Sequence, residues 1–385
     1  MHRKKILIAC FIAGLLWTLA AAACAQDRVI AIGDVHGAYP EFVSILQKTG
    51  LMNADRKWTG GSTTLVQAGD LLDRGSRARE CLDLMMELEI QAKKSGGKAI
   101  TLLGNHEVLN MTGDLRYVTA GIYRAFATDQ SEKRRERAYR DYVKFLSSHA
   151  NHSHAAMKPG DEAARRKWED EHPPGFFEHR DAFAPNGKYG AWLRKRPAIV
   201  KIGKGLFVHA GLNPARPFGD IAEINDRIRL ELAAFDSLWQ SLVKKKVIWR
   251  YMTFEEAVRH VKEEMKWMQA QGKDADSEVM QLMKQLLGLG SWLIISTEGP
   301  LWYRGLASEP EEGPLAGAMK EMLGRLKADY LVAGHSVVPS FTVQSRFANR
   351  VFLIDTGMLK EAYGGRASAL EIRDGQFTAH YADGN

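Results

Sequence analysis

A short apolar run that stops at a glycine-flanked polar loop recurs along this chain, and no other feature limits the possible folds as strongly. The first run, Arg28 to Ile32, stops at Gly33-Asp34-Val35-His36-Gly37, and a helical pattern begins near Pro40. The second, Thr64 to Gln67, stops at Gly69-Asp70-Leu71-Leu72-Asp73-Arg74-Gly75 and gives way to a helical period over Arg77 to Lys94. A third, Ala99 to Leu103, stops at Gly104-Asn105-His106-Glu107. Strand, polar loop and helix in that repeated order predict an α/β layered domain with its chemistry at the carboxyl ends of its strands.

The pattern then changes. Between Gly113 and Arg196 the chain turns to charged, helix-forming segments with Lys133-Arg134-Arg135 and Pro173-Pro174, which predicts a helical insertion over 114–197. Strand pattern resumes at Ala198 to Ile202, turns through Gly203-Lys204-Gly205 and runs from Leu206 into His209-Ala210-Gly211. Residues 218–290 are helical in period, with Leu230, Leu238 and Val258 among charges. Tyr330 to Ala333 reads as a strand ending at Gly334-His335. Hairpins follow at Thr342 to Ile354 and Leu370 to Tyr381, the latter turning at Asp374-Gly375. No repeat or low-complexity linker divides the chain, so 26–385 is expected to form one domain with an insertion.

The beginning of the chain reads differently. Met-His-Arg-Lys-Lys, an apolar run from Ile6 to Ala23 and the small-residue site Ala23-Cys24-Ala25 predict a secretory signal over 1–25 and a periplasmic or secreted protein. An uncleaved membrane anchor and a lipid-bearing Cys24 are the competing readings, and only these would bring the protein to a membrane. Cleavage removes Arg3, Lys4 and Lys5 with no acid, which takes the net charge from +7 to +4. Mild basicity interspersed with acids lacks the concentrated positive face of a nucleic-acid binder, so no nucleic-acid partner is expected. Cys81 is the one cysteine outside the leader and cannot form an internal disulfide; its helical spacing with Leu84, Met85 and Leu88 predicts core packing.

Asp34, His36, Asp70, Asn105, His209 and His335 each follow a strand-like run beside a glycine, and each offers a hard oxygen or an imidazole. Glycine permits tight turns and close backbone approach, so such groups can converge at one sheet edge. Two divalent ions need ligands for each and a carboxylate between them, and six residues suffice. Without clustered cysteines a structural zinc site is disfavoured, while mixed oxygen and nitrogen ligation suits manganese, iron or zinc in a reactive one. Any single residue of the set reads equally well as a turn former or a satisfied core histidine; the ordered combination carries the argument.

Gly33 to Gly37, Gly69 to Gly75, Gly104 to Glu107, His209-Ala210-Gly211-Leu212-Asn213-Pro214 and Gly334-His335 together resemble the phosphoprotein phosphatase branch of the calcineurin-like metallophosphoesterases. Gly104 to Asn110 continuing into Gly113-Asp114-Leu115-Arg116-Tyr117, with Leu301-Trp302-Tyr303-Arg304-Gly305, is similar to the Shewanella-like protein phosphatases within that branch. The resemblance implies a layered β-sandwich flanked by helices. It implies that Asp34 and His36 hold a first metal, that Asp70 bridges, and that Asn105, His209 and His335 hold the second, manganese being the first expectation and iron or zinc the alternatives. It further implies that His106 is the general acid, that Asp73 orients it, and that Arg74 and Arg304 grip phosphate. Where eukaryotic members carry a cysteine-bearing loop, this chain has Asp355-Thr356-Gly357-Met358.

The expected activity is therefore hydrolysis of phosphomonoesters, on protein serine, threonine or tyrosine or on small molecules, by direct attack of metal-activated hydroxide. Metal coordination lowers the pKa of water from about 15.7 toward 7, a carboxylate-held histidine can protonate the leaving oxygen, and the planar fork of arginine matches phosphate. A nucleotide or dinucleoside polyphosphate phosphoesterase is the alternative enzyme. A metal-dependent binding protein is the alternative outside enzymes. His149, His152 and His154 read as an exposed loop, Lys133 to Arg140 as a solvated helix face, and Trp239, Trp249 and Trp267 as packing residues.

Overall fold

The structure is a computed structural model that describes residues 28–149, 161–216, 218–272 and 277–384. The predicted leader over 1–25 and His152 and His154 lie outside the described residues, among which no helix is long and apolar enough to cross a membrane.

Strands β1 (Val29–Ile32), β2 (Thr64–Gln67) and β3 (Lys98–Thr101) alternate with helices α1 (Tyr39–Lys48), α2 (Ala78–Lys94) and α3 (Asn105–Thr112). Five helices follow: α4 (Ala120–Phe126), α5 (Ser131–Ser148), α6 (Glu162–Glu171), α7 (Phe176–Phe183) and α8 (Lys188–Leu193). Strands β4 (Ile199–Ile202) and β5 (Gly205–Val208) lead into α9 (Ile221–Lys244), α10 (Phe254–Ala270) and α11 (Glu278–Leu287). The chain ends through α12 (Gly305–Ser308), α13 (Pro314–Arg325), β6 (Tyr330–Ala333), β7 (Gln344–Arg346), β8 (Val351–Leu353), α14 (Lys360–Tyr363), β9 (Ser368–Arg373) and β10 (Gln376–Tyr381).

The strands form two mixed five-stranded sheets, ordered β10-β9-β1-β2-β3 and β4-β5-β6-β8-β7. β1, β2 and β3 run parallel in the first, and β5, β6 and β8 run parallel in the second. Side chains alternate across a strand, and the inner strands such as β1, β5 and β8 bury both faces. Val29, Ala31, Val66 and Ala68 meet Phe207, Val332 and Phe352 in a core between the sheets. Ile30, Ile32 and Leu65 belong instead to the larger core that takes in Phe42, Ile45, Leu82 and Met85 of α1 and α2. This is the expected layered α/β arrangement. The Asp374-Gly375 turn has both φ angles positive, 53° and 75°, as a two-residue turn matched to the strand twist requires.

The two helical spans share one separate core. Trp168, Phe176 and Phe177 of the first interlock with Phe235, Leu238, Leu242, Trp249 and Val261 of the second. Reciprocal bonds cap the long helices: Asp220 Oδ1 accepts from Glu223 N at 2.9 Å, and Thr253 Oγ1 accepts from Glu256 N at 3.2 Å. Trp249 is buried in this core, with Trp239 and Trp267 half-buried against it, as expected. Cys81 is buried in the main core, where burial pushes its thiol pKa far up. Two expectations fail. His149 does not sit in an exposed loop; it is buried at the end of α5, its ring against Phe145 and His260. Nor is the Lys133 to Arg140 face wholly solvated, because Arg134 is drawn onto Asp181 and the Tyr251 hydroxyl.

Candidate metal centre

All the predicted ligand loops leave the carboxyl ends of strands: 33–37 after β1, 69–75 after β2, 104–107 after β3, 209 after β5 and 334–335 after β6. Parallel order puts these ends on one edge. Val35 N and His36 N both donate to Asp70 O, at 3.0 and 2.9 Å, and Gly75 N donates to His36 O at 3.0 Å, so the first two loops are stitched together. His36, Asp70, Asp73, Arg74 and His335 all have positive φ, between 48° and 68°. Side-chain-bearing residues avoid this region at a cost of about 1–3 kcal/mol each, and such strain persists where surrounding bonds over-determine the loop. Gly104 and Gly334 are required by contact: a Cβ on either would overlap a carboxylate oxygen, of Asp70 and of Asp34 respectively.

Asp70 is the hub. Its Oδ2 lies 3.4 Å from His209 Nε2, 3.7 Å from His36 Nε2 and 3.8 Å from His106 Nε2. Two groups, His36 with Asp70 and His106, and Asp70 with His209 and His335, each bring their donor atoms within 4.8 Å of one another, and Asp70 belongs to both. Asn105 Oδ1 is 2.9 Å from His209 Nε2. Asp34 stands at the margin, its Oδ2 3.8 Å from His36 Nε2 and its Oδ1 accepting from His335 N at 2.9 Å. Asp34 and His36, the expected first-metal pair, thus stand beside each other, while the group that gathers closely on Asp70 there is His36 with His106 and leaves Asp34 out.

Which nitrogens face the centre follows from their partners. His36 Nδ1 is 2.7 Å from Leu72 O and His209 Nδ1 is 2.8 Å from Ala68 O, and a carbonyl only accepts, so Nδ1 carries the proton in both rings. The Nε2 lone pairs then point inward. His209 Nε2 faces Asn105 Oδ1, Asp70 Oδ2 and, at 3.1 Å, His335 Nδ1, while His335 Nε2 is buried with no partner. Converging lone pairs repel unless a positive charge sits among them. A proton on His209 is one such charge: against the lowering by burial, Asp70 and Asp34 push its pKa up to about 10. A divalent cation is the other, and the mixed carboxylate, imidazole and amide donors suit one.

Burial acts oppositely on the carboxyls. It raises Asp34, with Asp355 adding repulsion, and lifts Asp355 to about 6. It also works to raise Asp70, but His209 and His106 overcome it and hold Asp70 well below the usual range. Burial lowers His36 to about 3 and His335 to about 2. His106 goes up despite burial, through the charge of Asp70 and a bond from its Nδ1 to Asp73 Oδ2 at 2.6 Å.

A cavity of about 300 Å³ opens over the centre. Arg74 lies in its wall with Nη1 against His36 Nε2 and its guanidinium 5.2 Å from each of the Tyr117 and Tyr363 ring centres. Arg304 donates through Nη1 to His335 O at 3.0 Å and Ser336 Oγ at 3.1 Å. All ten predicted site residues therefore stand at or beside one centre. Sequence reasoning gave no role to several residues found there, Tyr117 and Trp302 of the cavity wall among them. Glu107 accepts from the backbone amides of Asp70, Leu71 and Gly104 at 2.8–2.9 Å, and burial raises it to about 7. Asn110 donates to Asp73 Oδ1 at 2.9 Å and is one helical turn beyond His106, a spacing visible in the sequence. Asp355 follows β8 as the ligands follow their strands, which was its available signal. Tyr363 had none.

The chain matches the Metallophos family, calcineurin-like phosphoesterase, over residues 27–339. It is 29% identical to an uncharacterized protein of Schizosaccharomyces pombe, over 89% of this chain and 76% of that one. It is 29% identical to Shewanella-like protein phosphatase 2 of Arabidopsis thaliana over 53% of this chain, which spans 51% of that relative's length. The fold is shared with a crystal structure titled cold-active protein tyrosine phosphatase, at TM-score 0.58 and 22% identity, covering 93% of this chain and 77% of that one.

Proposed function

Because this chain belongs to the calcineurin-like phosphoesterases and is a metal-dependent phosphoester hydrolase, we propose that its strand-edge centre holds two divalent cations and hydrolyses phosphomonoesters. The observation that carries this reading is one carboxylate, Asp70, common to two ligand groups, with a carboxylate-held histidine beside it. In this reading His36, Asp34 and Asp70 hold one ion, and Asp70, Asn105, His209 and His335 hold the other. Bound there, the ions supply an ionised water near neutral pH and charge to offset the phosphate dianion.

The remaining work falls to the chain's own side chains. Asp73, an acceptor only, keeps the His106 Nδ1 proton in place and turns Nε2 toward the cavity, where a proton held on it passes to the leaving oxygen. Arg74, braced between Tyr117 and Tyr363, and Arg304, tied to the His335 carbonyl, orient the phosphate by paired N–H donors. Tyr117, Trp302 and Tyr363 line the same cavity with flat apolar faces, which favours an aryl ester such as phosphotyrosine over an alkyl one. Manganese is the proposed metal, and export through residues 1–25 the proposed location.

The test is p-nitrophenyl phosphate hydrolysis by the purified protein after chelation and readdition of manganese, beside Asp70→Asn. Turnover restored by metal in the parent and absent from the variant supports the reading; a folded protein inactive with manganese, iron and zinc overturns it. Phosphotyrosine peptides, phosphoserine peptides and a dinucleoside polyphosphate then compete as substrates, and preference for the last would replace the monoester with the alternative ester class.

A further inference from the structure

A second cavity, of about 400 Å³, opens away from the strand edge, where the C-terminal end of α3 meets α7 and α9. Met111, Phe235, Trp239 and Tyr251 give it apolar and aromatic walls, Arg250 and Lys244 stand in its lining, and Arg180 of α7 supplies the cation set among the aromatic rings. That cation is poorly matched. Its Nη2 donates to Met252 O at 3.3 Å, and its Nε is buried with no partner. Of the acids nearby, Asp181 and Asp236 line the cavity but pair elsewhere, Asp181 with Arg134 and Arg250 and Asp236 with Nε and Nη2 of Arg194 at 2.7 Å, while Glu256 accepts from Thr253 N at 2.7 Å. Glu256 and Asp181 offset the charge of Arg180 from a distance, and none of the three hydrogen-bonds it. Burial accordingly depresses the Arg180 pKa below its ordinary value. Arg180 is half-buried and lines the open cavity while its Nε is sealed from it; a cation held among apolar walls with a donor unused is costly unless an anion offsets it.

The neighbours are arranged to keep Arg180 where it is. Gly113 ends α3 with φ of 81°, and a Cβ there would overlap the guanidinium, so glycine is what permits the approach. The Arg180 guanidinium carbon is 6.0 Å from the Trp239 ring centre, which sets a charged fork beside a flat face in one chamber. The volume is that of a small-molecule site.

We propose that this cavity is a binding site for a small aromatic carboxylate, its carboxylate paired with Arg180 and its ring against Trp239. The fork of Arg180 matches two carboxylate oxygens, and Trp239, Phe235 and Tyr251 match a ring; neither half alone would use the chamber. The site stands independently of the metal centre.

The experiment is titration calorimetry of the full protein with benzoate, repeated on Arg180→Gln and on Val243→Trp, which fills the cavity from α9 without altering the cation. The expected result is saturable benzoate binding by the parent, weakened about tenfold or more in both variants, and retained when p-nitrophenyl phosphate turnover is abolished by His106→Asn. Cyclohexanecarboxylate, which keeps the charge and loses the flat ring, should bind more weakly than benzoate. Absence of saturable binding to the parent overturns the proposal. So does equal benzoate affinity in the parent and Val243→Trp, an outcome that would leave Arg180 a donor to the Met252 carbonyl.

Discussion

At the strand edge, Asp34, His36, Asp70, Asn105, His106, His209 and His335 are each no more than 6% exposed, yet what they bury is polar. In the helical cap, Trp168, Phe176, Phe177 and Leu242 are equally buried and almost wholly apolar. The two regions are held by different forces. The cap gains from area removed from water, roughly 25 cal/mol per Å², and tolerates any residues that fill its volume. The edge gains little from area; it holds positive-φ loops and facing lone pairs in place by backbone hydrogen bonds and needs added positive charge to be at ease. Substitutions at the edge should therefore reach turnover first, and substitutions in the cap should reach stability first.

His106→Asn should break the comparison most visibly. Loss of the proposed general acid should cost about 10²–10⁴-fold, or roughly 3–5 kcal/mol of barrier, in kcat for a phosphomonoester. The thermal midpoint should hardly move, and a midpoint that fell with kcat would mean the edge is structural. Phe177→Ala is the converse case. It should cost about 3–5 kcal/mol of unfolding free energy by denaturant titration, with kcat/KM nearly unchanged below the transition; a large fall in kcat would place the cap in the chemistry.

Asn110→Ala sharpens the boundary, because Asn110 reaches the reacting groups only through Asp73 and the His106 carbonyl. As a positioning residue it should lose about 10–100-fold in kcat with KM little changed, partly recovered in Asn110→Gln. A pair outside both regions gives the smallest effect. Glu371 on β9 is drawn down to about 2, first by its bond from Arg28 and then by His380, against burial. Its folded value lies below the unfolded value, so its stabilisation is present above about pH 4.5 and is lost as pH falls toward 2. Glu371→Gln should cost no more than about 1 kcal/mol at pH 7, and the difference from the parent should shrink at pH 3 in urea titrations.

The loops themselves were legible. Asp34, His36, Asp70, Asn105, His209 and His335 announce themselves because each follows a β-branched run and sits beside a glycine, and those are local properties of residue type and period. The β9–β10 turn was legible for the same reason, since Asp374-Gly375 suits positive φ. Glu107 and Asn110 were in view but silent, because their partners in the second loop lie 36 or 37 residues away along the chain. His149 was misread because one of the two rings that cover it, His260, belongs to α10, far along the chain from Phe145 and His149.

The sequence by itself determined the strand-loop-helix units, their order and the ligand types they carry, since propensity and periodicity act over a few residues. Tertiary structure decided what they do together. The sheet order β1-β2-β3 against β5-β6-β8 brings six carboxyl ends, that of β8 with Asp355 among them, to one edge, and α14 lays its last residue, Tyr363, over Arg74. The shared aromatic core of two helical spans and the unmatched Arg180 beside Trp239 arise the same way. Such contacts depend on side chains distant in sequence sharing a volume that only the packed sheets and helices define.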